Sequence, residues 1–214
     1  AAAGLQALVS ADVALAMDGP QLVSFYDLRA GRELLAAPIV PWTLQEQRDG
    51  SDVLDLPAPA ASETKYDPGA NALTVTATQS AADGAFVTRF WVKLDGPKAT
   101  LRLRVLPDSP AALWQVRFPN LRLAQLSVTG ADDHVFYPRG PGEVVRDPWQ
   151  TGAQHGGRYP SGWSTMQYLA HWDPRGGLYV GVEDPVASTK DVNFTAAEGR
   201  GSLRFGCDWP GPDI

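Results

Sequence analysis

Five carboxylates and two histidines lie in one stretch of the chain and could support chemistry on sugars. Hydrolysis of a glycosidic bond needs two carboxyl groups on either side of the bond, and the fold, not the sequence spacing, brings them together. Acidic residues in turns are commonly solvated or cap the turn. We therefore predict no complete catalytic pair among the five, which are Glu143, Asp147, Asp173, Glu183 and Asp184.

The histidines suggest a second chemistry, general acid–base catalysis on an open sugar ring. Such a reaction needs a histidine as acid and a glutamate as base. His171 and Glu183 could meet across a hairpin, because residues 164–172 and 178–183 are expected to pair. The alternative is that His171 lies on an ordinary strand face. His155, followed by two glycines, is the histidine that we expect to contact a ligand.

The remaining residue types do not predict a metal or thiol site. Asp132, Asp133 and His134 are adjacent, and neighbours on a strand point to opposite faces, so they cannot converge on one ion without a special turn. We expect a solvated turn there. Cys207 is the single cysteine, without a disulfide partner or the neighbours that zinc or thiol catalysis requires. No metal and no cofactor are predicted.

Aromatic side chains are concentrated in residues 137–163, a segment with little strand pattern. Loops this long are usually functional or disordered, and aromatic residues are unfavourable when they are exposed without a contact. Trp and Tyr rings stack on the apolar faces of pyranose sugars. Contact with a ligand, packing against a partner domain and a local core all remain open for this loop. Trp91 and Trp114 lie on clear strands and are expected in the core.

These residues must be positioned by β-strands, because alternation of apolar and polar residues dominates the rest of the chain. The clearest strands are 72–79, 85–94 and 100–106. Turns of Gly, Pro and Asp separate them, and roughly 12 to 15 short strands of this kind are typical of a sandwich or barrel. The best helix candidate is short, near Arg32 to Ala37. The predicted fold is all-β, a large two-sheet antiparallel β-sandwich over residues 1–214.

Composition excludes some partners. The net charge is −6 and the 18 basic residues are scattered, which disfavours nucleic acid. No apolar run approaches the roughly 20 residues of a membrane-spanning helix. The chain opens on Ala1 without a signal peptide and ends in a turn-rich segment, 209–214. We expect a processed start, continuation into a further domain, and a secreted or periplasmic location.

A series of short motifs runs through residues 159–185: Tyr159-Pro160, Met166-Gln167-Tyr168, Asp173, Gly176-Gly177-Leu178-Tyr179 and Asp184-Pro185. With these motifs the segment resembles the N-terminal domain of a group of bacterial TIM-barrel glycoside hydrolases distantly related to α-galactosidases. The opening segment, 22–34, is similar to the hairpin that begins many such domains.

The resemblance implies a galactose-mutarotase-like supersandwich in front of a barrel that carries the catalytic carboxylates. It also implies a sandwich loop that leans over the barrel mouth, here 137–163, with Arg139, Trp149, Gln150 and His155 as polar and stacking groups. The expected function is a non-catalytic N-terminal domain of a secreted glycoside hydrolase, with carbohydrate and the catalytic domain as partners. A stand-alone mutarotase-like aldose epimerase and a carbohydrate-binding module are the alternatives.

Overall fold

The computed structural model describes residues 4–47, 52–82, 84–108, 112–196 and 202–210. Within these ranges the chain forms eighteen strands and one short helix, α1, Pro148–Thr151. The strands are β1 Gln6–Val9, β2 Val13–Asp18, β3 Gln21–Asp27, β4 Arg32–Glu33, β5 Thr43–Gln47, β6 Leu54–Asp55, β7 Ala61–Asp67, β8 Ala72–Ala81, β9 Gly84–Asp95, β10 Lys98–Asp108, β11 Ala112–Ala124, β12 His134–Tyr137, β13 Glu143–Arg146, β14 Gln154–Tyr159, β15 Tyr168–Asp173, β16 Gly176–Gly181, β17 Lys190–Ala196 and β18 Ser202–Pro210.

The described strands form four antiparallel sheets. Their strand orders are β1-β2-β3-β4, β10-β9-β8-β7, β14-β17-β18-β11-β5-β6 and β13-β12-β15-β16. The all-β prediction is confirmed, whereas four separate hydrogen-bonded sheets do not confirm a two-sheet sandwich. The best helix candidate, near Arg32 to Ala37, does not form a helix, because Arg32 and Glu33 pair with the end of β3 as strand β4. No helix in the described ranges is both long and apolar enough to span a bilayer.

Strict alternation builds the sheet of β7 to β10. Every second residue of β9 from Phe86 to Leu94 is buried, including Thr88, and the residues that alternate with them face outward. This register corrects one expectation, since Trp91 lies on the outer face with the Arg102 guanidinium 5.3 Å from its ring centre. Trp114 is also outside the core, with 47% of its surface exposed. Strand register, not hydrophobicity, places both tryptophans.

The core lies between the sheets and is closed by aromatic contacts. The rings of Trp42 and Phe90 stack with centres 5.4 Å apart, and the Trp42 indole N–H donates to the Gln79 side chain at 2.8 Å. Cys207 is fully buried, which raises the pKa of its thiol to about 12. This thiol is therefore protonated at neutral pH and acts as a small apolar side chain.

Candidate functional site

The aromatic-rich segment 137–163 has more regular structure than its sequence predicts. It contains β13, α1 and β14, and β14 pairs with β17 at the edge of the six-stranded sheet. Asp147 precedes α1 with a positive φ of 46°, and its carboxylate accepts a hydrogen bond from the Gln150 backbone N–H at 3.0 Å. The strands were missed because their glycine-rich and polar sequences carry little alternation.

An exposed tryptophan and an arginine form the most open part of this segment. The guanidinium carbon of Arg139 is 4.1 Å from the centre of the Trp163 ring, and 57% of the Trp163 surface is exposed. Arg139 Nε lies 3.6 Å from Glu143 Oε1. We call Arg139, Glu143 and Trp163 the loop surface. It offers an aromatic face, hydrogen-bond donors and a carboxylate, which together can bind a sugar.

His155 lies under the loop surface, between two rings. Its imidazole stacks on Tyr137 with centres 4.6 Å apart and tilts against Phe194 at 4.9 Å. Burial lowers the pKa of His155, while Glu143 raises it and Arg139 lowers it. The imidazole is therefore neutral at pH 7 and has one donor and one acceptor nitrogen.

The other two predicted sugar contacts are placed differently. Trp149 is only 5% exposed, and its indole N–H donates to Asp133 Oδ2 at 3.0 Å, so its ring has no free face for a sugar. A Cβ at Gly130 would lie 2.4 Å from the Trp149 ring, which shows how tightly it is enclosed. Gln150 lies within α1 and is exposed. In the described part of the chain, Trp149 and Gln150 form hydrogen bonds with Asp133 and Asp147, whereas Arg139 contacts Trp163 and Glu143.

The histidine–glutamate pair considered for acid–base catalysis does not form. Strands β15 and β16 pair as expected, but His171 faces Leu178 in the register and is 3% exposed. Glu183 follows β16 on the exposed side and binds Lys98 Nζ at 2.7 Å. The pair is absent because His171 points into the core and Glu183 points to solvent, so the alternative of an ordinary strand face is the one observed for His171.

The five candidate carboxylates are distributed over separate contacts. Among the described residues, no two of them share a cationic partner. Glu143 lies near Arg139, Glu183 binds Lys98, Asp184 binds Lys190, Asp173 binds Arg32 and Arg175, and Asp147 caps the N-terminus of α1.

Asp133, expected in a solvated turn, is fully buried. Its carboxylate accepts hydrogen bonds from the backbone N–H groups of Leu126 and Ser127 and lies 3.3 Å from His171 Nε2. The expectation is wrong because Asp133 immediately precedes β12 and is buried, as is Val135 two residues further on. Within the described ranges, no three His, Cys, Asp or Glu side chains are grouped so that they could hold a metal ion.

Fold and surface together define a class, an all-β domain of several antiparallel sheets with an open aromatic–arginine surface. Neither a family model nor a curated protein sequence matches the chain. Among solved structures, the chain is similar to the α-N-acetylgalactosaminidase NagBb from Bifidobacterium bifidum, determined as a GalNAc complex. The TM-score is 0.67 at 17% identity, and the match covers 96% of this chain and 33% of that chain. The chain therefore spans about one third of the length of that glycoside hydrolase and shares its fold over the matched region.

Proposed function

We propose that this chain is a non-catalytic β-domain of a secreted or periplasmic glycoside hydrolase. In this proposal it supports a separate catalytic barrel, and its loop surface contributes to carbohydrate binding. The observation that carries the proposal is a fold shared over 96% of this chain with one third of a glycosidase. The scattered carboxylates of the described residues are consistent with catalysis elsewhere. The proposal includes the galactose-mutarotase-like arrangement, with the four sheets as parts of two layers.

The loop surface is the part of the domain that we propose to contact sugar. A pyranose stacked on Trp163 would place its hydroxyl groups beside the Arg139 guanidinium and the Glu143 carboxylate. The first can donate hydrogen bonds to hydroxyl oxygens and the second can accept them. His155, neutral at pH 7, holds the Tyr137 side of the loop in place by ring stacking. Trp149, which is buried, has a structural role in this proposal.

The purified chain is expected to hydrolyse no glycoside and to catalyse no mutarotation. Hydrolysis is measured with p-nitrophenyl α-N-acetylgalactosaminide, and mutarotation of galactose by polarimetry, both against a buffer blank. Mutarotation that His155→Ala abolishes would favour the stand-alone epimerase. Hydrolysis by the chain alone would contradict a non-catalytic domain.

Binding of N-acetylgalactosamine oligosaccharides is expected to weaken about tenfold in Trp163→Ala, because a stacked ring contributes on the order of 1 kcal/mol beyond its buried area. Titration calorimetry measures the change. Trp114→Ala is the matched control, since Trp114 is comparably exposed but lies on β11, away from the loop surface. Equal losses in the two variants, or no binding by the parent chain, would remove the loop surface as a sugar site.

A further inference from the structure

A groove of about 1430 Å³ separates two of the four sheets. One side is β10, the last strand of its sheet, and the other side is β16, the last strand of another. The floor is apolar and comes from the hairpin of β2 and β3 and from β11. Its residues include Leu15, Leu22, Phe25, Val116, Phe118 and Leu121.

Both sides of the groove present apolar side chains and a free backbone edge. Leu101 and Leu103 of β10 lie opposite the buried Val92 and Phe90, so they point inward, yet both are only partly buried. Val180 of β16 likewise lies opposite the buried Leu169 and is only partly buried. Among the described strands, neither β10 nor β16 has a partner on its groove side. Unpaired strand edges of this kind are templates for an added strand.

The apolar floor and the unpaired backbone edges together restrict what can bind in the groove. A strand is apolar on one face and carries N–H and C=O groups along both sides, so it can satisfy the floor and both edges at once. A lipid chain would leave the backbone edges unpaired, and a sugar would leave the floor uncovered. At one end, Lys98 and Glu183 already connect the sides through an ion pair of 2.7 Å between exposed side chains.

The outer rim of the groove is positively charged. Arg102 and Arg104 lie on the exposed face of β10, and Arg104 is directly opposite Arg89 in the register. Like charges opposite each other destabilise a sheet. Among the described residues, no carboxylate forms an ion pair with Arg89 or Arg104. A strand in the groove would place its outward side chains next to this row, where acidic residues would be favourable.

We propose that the groove binds an extended polypeptide segment as an added β-strand. The segment has apolar residues at every second position, which cover the floor, and acidic residues between them, which pair with Arg102 and Arg104. It joins two four-stranded sheets into one nine-stranded sheet. This site is separate from the loop surface and does not depend on sugar binding.

The test uses an end-capped, fluorescein-labelled peptide, Thr-Val-Glu-Val-Glu-Val-Thr, and the same peptide with lysine in place of glutamate. Fluorescence anisotropy should show that the chain binds the glutamate peptide at least about tenfold more tightly, since two cross-strand charge pairs separate the two peptides. The double variant Arg102→Glu/Arg104→Glu should reverse this preference. Both arginines are exposed, so the exchange leaves the core intact. Lys65→Glu, on the same face at the opposite edge strand β7, is the control and should change nothing.

Binding of neither peptide, or equal binding that the charge exchange does not alter, would overturn the proposal. Binding of cis-parinaric acid without peptide binding would assign the groove to a lipid chain instead. A concentration-dependent dimer in sedimentation, weakened by the arginine exchange and unaffected by peptide, would assign it to a second copy. Because sugar titrations report on Trp163 and not on β10, this proposal and the proposed function can fail independently.

Discussion

Replacement of Asp133 by alanine is expected to lower the free energy of unfolding by about 3–5 kcal/mol, the usual loss when one partner of a buried charged network is removed. The carboxylate is fully buried and accepts hydrogen bonds from Leu126 N at 2.9 Å, Ser127 N at 2.7 Å and Trp149 Nε1 at 3.0 Å. Without it, three N–H donors lose their acceptor, two of them buried and one partly buried, and His171 loses its neighbour. Urea denaturation followed by tryptophan fluorescence measures the loss.

Asp132→Ala is the control for this prediction. Asp132 is the adjacent aspartate, but its side chain is exposed and only its backbone oxygen is in contact with His134. A surface substitution of this kind changes stability by no more than about 0.5 kcal/mol. Equal losses in the two variants would mean that the Asp133 network does not hold the end of β11, α1 and β15 together.

The same network predicts a dependence on pH. Burial raises the pKa of Asp133, but hydrogen bonds from His171, Ser127 and Leu126 outweigh burial and hold the pKa well below its usual range. A carboxyl group whose pKa is lowered by folding stabilises the protein above its unfolded pKa of about 3.9, and this contribution is lost as pH falls toward the folded pKa. The stability difference between the parent and Asp133→Asn should therefore shrink below about pH 4.

The sequence predicted strand faces well, because side-chain direction follows from alternation alone. It placed Leu101 and Leu103 on one side of β10 and Arg102 and Arg104 on the other, as observed. Alternation also predicted that the side chains of Asp133 and its neighbours point to opposite faces. It could not show where Asp133 points, because the partners that make its burial favourable, Trp149 and His171, are 16 and 38 residues away.

The candidate site shows the same limit. Trp149 and Trp163 both stand in turn-rich sequence, and nothing local distinguishes the buried ring from the exposed one. Contacts with residues elsewhere in the structure determine which of the two rings is buried. Asp133 binds the indole N–H of Trp149, whereas Trp163 extends from a turn in which Ser161 Oγ accepts its backbone N–H at 3.1 Å.

The groove could not be predicted from alternation, because alternation gives the faces of a strand and not the partners at its edges. In the structure β10 and β16 are edge strands, although their inward-facing residues are apolar, as is typical of interior strands. Apolar residues on an uncovered edge are unfavourable in an isolated domain, which is why an added strand is the physically consistent completion.

Replacement of Lys190 by alanine is the second large effect, again about 3–5 kcal/mol of lost stability, because it leaves a carboxylate without its buried cation. Lys190 is fully buried, and its Nζ donates to Asp184 Oδ2 at 2.7 Å and to Gln167 Oε1 at 2.6 Å. The same Nζ lies 4.8 Å from the Tyr159 ring centre and 4.6 Å from that of Trp209. Thermal and urea unfolding measure the loss.

Two further variants show how much of the Lys190 effect is due to charge and how much to packing, and whether burial or the length of the ion pair sets its strength. Lys190→Met keeps most of the apolar stem of the side chain, so the stability that this variant loses is due to the missing charge. Adding Asp184→Asn to Lys190→Met should restore some of that stability, because it removes the unpaired carboxylate. Lys98→Ala breaks an ion pair of the same 2.7 Å length whose two side chains are exposed, and it should leave stability unchanged within error. If Lys98→Ala and Lys190→Ala cost the same, burial does not set the strength of these pairs, and the enclosure of Lys190 by two aromatic rings has no energetic consequence.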